Sequence, residues 1–162
     1  MAHNLLIVDD EEDIRTVLED LFTSRGCEVT NGKEALDLLQ VFTPDLILAN
    51  YQMPKMDGIE LFKEARSLYP DTTHILLTAH GDLKVAIAAI NDAGVCRFII
   101  KPLNNNDLIL TTQRALEHHD LIKENRAFAD TLELMVDENT QEIERLRSEL
   151  RKIAARIRSL LP

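Results

Sequence analysis

Four short apolar runs, separated by segments of helical period, constrain this chain more than any other feature. Leu5-Leu6-Ile7-Val8, Leu46-Ile47-Leu48-Ala49, Ile75-Leu76-Leu77 and Phe98-Ile99-Ile100 are each continuous, as strands buried on both faces require. After the first run, Ile14, Val17, Leu18, Leu21 and Phe22 recur at helical spacing behind acidic residues 10–13, and Gly26 is expected to end that helix. Ile59, Phe62 and Ala65 mark a helix after Asp57-Gly58, and Val85, Ala86, Ala89 and Ile90 mark another. Such alternation implies right-handed crossovers and a parallel sheet with helices on both faces. Ligands of a sheet of this kind sit at the carboxyl ends of its strands.

From Asn106 onward the pattern changes, because no Gly or Pro interrupts the chain before Pro162. A heptad register runs through this tail. Its a positions are Ile122, Ala129, Val136, Ile143, Leu150 and Ile157, and its d positions are Asn125, Leu132, Asn139, Leu146, Ile153 and Leu160. A strict 3.5-residue repeat of this length predicts a coiled-coil seam and not a face docked on a globular core. A continuous helix from Asn106 would be about 80 Å long. The expected organisation is therefore a globular domain over residues 1–118 and a dimerising helix over 119–162, with no output domain in the chain.

Composition removes several classes of function. A net charge of −10 disfavours nonspecific binding of the whole chain to nucleic acid or acidic membranes. No stretch approaches the ~20 apolar residues of a membrane span, and the first residues lack the pattern of a signal peptide. Cys27 and Cys96 form neither a CxxC nor a metal-ligand spacing, so two reduced thiols in the cytoplasm are expected. The basic residues Arg145, Arg147, Arg151, Lys152, Arg156 and Arg158 alternate with Glu142 and Glu149 and carry no aromatics, which fits coiled-coil flanks better than a nucleic-acid surface.

Chemistry concentrates where the strands end. Asp9 and Asp10 follow the first apolar run, Asn50 the second, Thr78 the third, and Lys101-Pro102 the last. Carboxylates are hard oxygen ligands for Mg²⁺, while a hydroxyl and an ammonium can hold phosphoryl oxygens. Asp9-Asp10 alone would read equally well as a helix N-terminus; it is the register with Thr78 and Lys101 that makes it a site.

The segments Leu6-Ile7-Val8-Asp9-Asp10-Glu11, Pro44-Asp45-Leu46-Ile47-Leu48-Ala49-Asn50-Tyr51-Gln52-Met53-Pro54, Leu77-Thr78-Ala79 and Ile100-Lys101-Pro102 resemble the receiver domains of two-component response regulators, in order and spacing, over about residues 3 to 118. The resemblance implies a flavodoxin-like α/β fold with a five-stranded parallel sheet. It implies Mg²⁺ held by Asp9, Asp10, the side chain at position 50 and the Gln52 carbonyl. Thr78 and Lys101 would hold the phosphoryl group, and Phe98 would turn inward as Thr78 moves. It also implies a cis Lys101–Pro102 bond, a histidine kinase as phosphate donor, and readout through the last strand and the helices beside it. The segment around Ala88, Ile90 and Asn91, with the helix that follows, resembles regulators carrying cyclic-dinucleotide phosphodiesterase or cyclase outputs.

Two departures from the family pattern stand out. Asn50 occupies the position of the phosphate-accepting aspartate, and a carboxamide has no anionic oxygen to attack phosphorus. The position reads either as a block in an otherwise intact switch or as a natural pseudo-receiver that serves as a dimeric scaffold. Between Val29 and Gly32 the chain is also about three residues shorter than is usual in the family; the regular flanks favour residues missing from the sequence over a short loop. A haloacid-type phosphatase is excluded, since it needs a second Asp two residues after its nucleophile on the first strand. His118-His119 makes a poor chelate, because adjacent helical residues point apart, and is expected to be solvated.

Overall fold

A computed structural model describes residues 3–23, 26–79, 82, 84, 87–88 and 94–161. The elements in chain order are β1 (Asn4–Val8), α1 (Glu12–Phe22), β2 (Gly26–Thr30), α2 (Gly32–Leu38), β3 (Leu46–Asn50), α3 (Gly58–Leu68), β4 (Thr73–Thr78), β5 (Val95–Ile100) and the C-terminal helix α4 (Asn105–Leu160). All five strands are parallel, in the order β2-β1-β3-β4-β5. The α/β fold with a five-stranded sheet is thus the one expected. The helix expected from Val85, Ala86, Ala89 and Ile90 lies outside the described residues, as do His80, Ile90 and Asn91.

The first three apolar runs are buried on both faces because side chains alternate along each strand. The fourth, Phe98-Ile99-Ile100, is only half-buried because β5 is an edge strand. Leu6, Val8, Ile47, Ala49 and Leu76 pack with Ala35, Leu39, Leu61, Phe62 and Ala65 of the α2–α3 side. Leu5, Ile7, Leu46, Leu48, Ile75 and Leu77 pack on the other face with Leu18 and Phe22 of α1 and Leu108, Ala115 and Leu116 of α4. Strand order fixes the site: β1 has β2 on one side and β3 on the other, so the connections reverse direction there and open a crevice at the carboxyl ends.

Gly26 does not end α1. That helix stops at Phe22 with Thr23 as its C-cap, and Gly26 opens β2, where it pairs with Asn4. A Cβ at Gly26 would sit 3.0 Å from Asn4 Oδ1, the end of a side chain, and at ordinary contact distance from the His3 and Asn4 backbone. Asn31 alone connects β2 to α2. Asn31 leaves β2 extended and caps α2 at once, its Oδ1 accepting from the amides of Lys33 and Glu34 at 3.0 and 3.1 Å.

The chain divides into two compact units, residues 1–121 and 122–162. In the first unit α4 buries Leu108, Thr112, Ala115, Leu116 and His119, the spacing of one helical face. His119 is therefore not solvated as expected; only His118 is exposed. His119 places Nδ1 3.4 Å from Thr73 Oγ1 and Nε2 3.3 Å from Asp45 Oδ1, because this turn of α4 still faces the base of the sheet. In the second unit every described residue is exposed, including all the apolar seam positions from Ile122 to Leu160.

Candidate functional site

Each expected site residue lies at a carboxyl end of the sheet, brought there by its strand. Asp9 and Asp10 follow β1, Asn50 closes β3, Thr78 closes β4, and Lys101 follows β5. Asp10, Glu11, Asn50, Tyr51, Gln52, Ala79, Asp82 and Lys101 line an open cleft of about 290 Å³. Asp9 and Thr78 are fully buried and do not line it.

Asp9 is held from two sides. Its Oδ1 accepts the Glu11 amide at 2.9 Å, and its Oδ2 lies 3.3 Å from Lys101 Nζ. Burial pushes the Asp9 carboxyl above the usual carboxylate range, against the opposing pull of the Glu11 amide and the Lys101 ammonium. Lys101 Nζ also reaches Glu11 Oε1 at 3.2 Å. Arg15 donates to the Asp9 carbonyl at 2.7 Å and so ties the first turns of α1 to the end of β1. Thr78 turns its hydroxyl to the Ala79 carbonyl at 3.3 Å. Phe98 is half-buried, packs against the α2–α3 core and pairs with Leu76, two residues before Thr78 on β4. The Lys101–Pro102 bond is cis, as the resemblance implied.

Asn50 is buried and fixed by its carboxamide nitrogen, which donates to the Gln52 carbonyl at 2.8 Å and to Asp10 Oδ1 at 3.3 Å. Behind it, α3 begins so close to the strand end that a Cβ on Gly58 would lie 2.5 Å from the Asn50 carbonyl oxygen. Asp57 secures that start with a capping box to Glu60. The acceptor position is therefore set by a glycine and a cap eight and seven residues further on.

Sequence reasoning missed three participants. Asp82 stands at the mouth of the cleft, where its Oδ2 accepts from Gln52 Nε2 at 3.2 Å. Glu11 shares the Lys101 ammonium, and Tyr51 lines the cleft with its phenol pushed up by burial and by Asp57 and Asp82. Position was the available signal: Asp82 lies on the connection leaving β4, Glu11 and Tyr51 directly beside expected residues.

The donor set does not fit a divalent cation as it stands. Both Asp9 oxygens are engaged, and the two groups a cation would draw together, Asp10 and the Gln52 carbonyl, are already joined through the Asn50 amide nitrogen. Among the described residues, no group of three or more His, Cys, Asp or Glu side chains could hold a metal. No helix among the described residues is long and apolar enough to cross a membrane.

The sequence matches the response regulator receiver domain family over residues 5–113. It is 39% identical to the regulatory protein AtoC of Escherichia coli (strain K12) over 76% of this chain and 27% of AtoC. It is 33% identical to the C4-dicarboxylate transport transcriptional regulatory protein DctD of Rhizobium meliloti (strain 1021), over 94% of this chain and 35% of DctD. The receiver domain of NtrX from Brucella abortus superposes with a TM-score of 0.64 at 30% identity, over 70% of this chain and 98% of that one. The chain thus spans roughly a quarter to a third of these curated relatives. The relatives' names differ in output class, and DctD is by its name a transcriptional regulator. A solved structure similar at 26% identity and a TM-score of 0.75, over 80% of this chain and 98% of that one, is named as an adenylate cyclase of Rhodopirellula baltica, nearer to the phosphodiesterase or cyclase outputs that residues 88–102 suggested. Receiver domains are generally non-enzymatic signalling domains that interact with histidine kinases and typically bind Mg²⁺ at the phosphorylation site. Strand order, strand-end residues and sequence relatives agree: this chain belongs to the response regulator receiver domain family.

Proposed function

We propose that this chain is a cytoplasmic receiver of a two-component phosphorelay, blocked at its phosphoacceptor by Asn50 and coupled to its output through a parallel, dimeric coiled coil. The observation that carries the reading is the place of Asn50: it ends β3 in a cleft shared with Asp10 and Lys101, over buried Asp9, with Thr78 ending the next strand. In the aspartate form, a carboxylate oxygen would attack the phosphoryl group of a kinase phosphohistidine. Lys101 and Thr78 would take the equatorial oxygens, and Asp9, Asp10, residue 50 and the Gln52 carbonyl would hold Mg²⁺, which neutralises charge on that group. The carboxamide at Asn50 lacks the anionic oxygen, so the transfer stops before the first bond forms. Movement of Thr78 and inward rotation of Phe98 is the switch that this block withholds.

The exposed seam of the C-terminal helix is read as the dimer interface. Ile143, Leu146, Leu150, Ile153, Ile157 and Leu160 present their side chains to solvent along one stripe, and pairing with a second copy would bury it. Asn125 and Asn139 at d positions fix the register. Glu142 at g would meet Arg147 at e of the partner helix; in the single chain it bonds Arg145 of its own helix at 2.8 Å.

The rival reading, a pseudo-receiver that only scaffolds, draws support from the hydrogen bonds that already satisfy Asn50. Beryllofluoride titration of an Asn50→Asp variant, followed by amide NMR shifts, separates the two. A blocked switch responds with shifts at Thr78, Phe98 and the start of α4. A scaffold shows none.

A further inference from the structure

Asn50 does more in this cleft than lack a charge. Its Nδ2 lies 2.8 Å from the Gln52 carbonyl oxygen and 3.3 Å from Asp10 Oδ1, so one nitrogen bridges the end of β3 to the end of β1. The amide orientation follows from chemistry. With the group reversed, its oxygen would oppose the Gln52 carbonyl, acceptor against acceptor, whereas an NH₂ has two hydrogens for two acceptors. Neighbouring carboxylates have internal donors too: both Asp9 oxygens accept, from the Glu11 amide and Lys101, while Glu11 Oε1 accepts from Lys101 and Asp82 Oδ2 from Gln52 Nε2.

We propose that the Asn50 carboxamide nitrogen takes the place of the divalent cation, gathering Asp10 and the Gln52 carbonyl as a metal would and leaving the cleft metal-independent. This inference rests on the reading of the cleft as a receiver site. A hydrogen bond holds its oxygens from the nitrogen at 2.8 and 3.3 Å, whereas Mg²⁺ demands ligands at about 2.0–2.1 Å in octahedral array. A cation entering here has to evict Nδ2, break both hydrogen bonds and turn the amide to present its oxygen. Gln52 adds a second restraint, because its side chain anchors Asp82 while its carbonyl receives Asn50. The acidic cleft is thus held by the Asn50 and Gln52 amides together with the Lys101 ammonium, with no exchangeable ion to lose.

Loss of charge and occupation by the amide make different predictions for Asn50→Ala, which has the same charge as the parent chain but no donor. Mn²⁺ is the probe, and its free fraction is read by electron paramagnetic resonance on the full 162-residue chain. Occupation predicts that Asn50→Ala binds Mn²⁺ about fivefold more tightly than the parent, the factor that one net hydrogen bond is worth, and that Asn50→Asp binds more tightly still. Equal binding by Asn50→Ala and the parent, or weaker binding by Asn50→Ala, overturns the proposal. A second measurement needs no variant: the parent melting temperature should be the same in millimolar Mg²⁺ as in NaCl of matched ionic strength, and a Mg²⁺-specific rise overturns the proposal as well. Phosphoryl labelling of Asn50→Asp is a separate readout, so failure here would leave the receiver reading standing.

Discussion

Lys101 and Asp9 show how little of a side chain's role depends on its own position in the sequence. They are 92 residues apart, yet the ammonium sits 3.3 Å from the carboxylate and shares itself with Glu11. In an Asn50→Asp background, Lys101→Ala should therefore lose the response of the signalling face while it still accepts phosphate, because the lysine both neutralises the phosphoryl group and draws it toward β5. Amide NMR shifts after beryllofluoride should shrink severalfold at Phe98; an undiminished response would show that Lys101 does not couple the site to the face. A second residue-scale test lies outside the cleft. Burial and the nearby Glu19 and Glu28 push the Cys27 thiol up to about 11. The thiolate is the nucleophile, so at pH 8 its fraction should be roughly a hundredfold below that of an ordinary thiol, and alkylation slower by a similar factor. Iodoacetamide labelling of a Cys96→Ser chain should accelerate tenfold per pH unit up to about pH 11; a plateau below pH 9 would contradict this. Asp9, Asp10, Asn50, Thr78 and Lys101 were legible in the sequence because each ends or follows an apolar run. His119 was not, since its burial depends on which face of α4 meets Asp45 and Thr73, and that is decided only in three dimensions.

At the scale of elements, the junctions carry the information that periodicity cannot. Apolar runs revealed β1, β3, β4 and β5, but the half-exposed β2 lacks one, and its start at Gly26 was read as a helix stop. The Asn31 cap resolves the short β2–α2 connection in a single residue. Two substitutions test the β3–α3 junction. Gly58→Ala puts a methyl against the Asn50 carbonyl and should cost about 1–3 kcal/mol, the range of overpacking in a closed site. Lys55→Gly, in contrast, should stabilise by about 0.5–1 kcal/mol, because Lys55 holds a left-handed φ of 72° that a glycine adopts without a Cβ clash. Urea unfolding of both variants measures the differences; a Gly58→Ala chain as stable as the parent, or a Lys55→Gly chain less stable than it, would show that the junction is not held as described.

For the whole molecule, the division at Leu121 leaves a helical unit whose described apolar residues are all exposed. A helix of this kind gains its stability from association, and branched residues at most a positions favour two strands. Sedimentation equilibrium at micromolar concentration should give twice 18.4 kDa, and Ile143→Asp with Leu150→Asp should return the monomer. A monomeric parent chain would remove the coiled coil from the account. Chemistry at position 50 is read by intact-protein mass spectrometry. After incubation with acetyl phosphate and Mg²⁺, the parent chain should gain no phosphoryl mass, while Asn50→Asp should gain one Mg²⁺-dependent, hydroxylamine-labile phosphoryl group. Phosphate on the parent chain at any residue, or an Asn50→Asp variant that stays unmodified, would contradict the claim that Asn50 alone blocks this receiver.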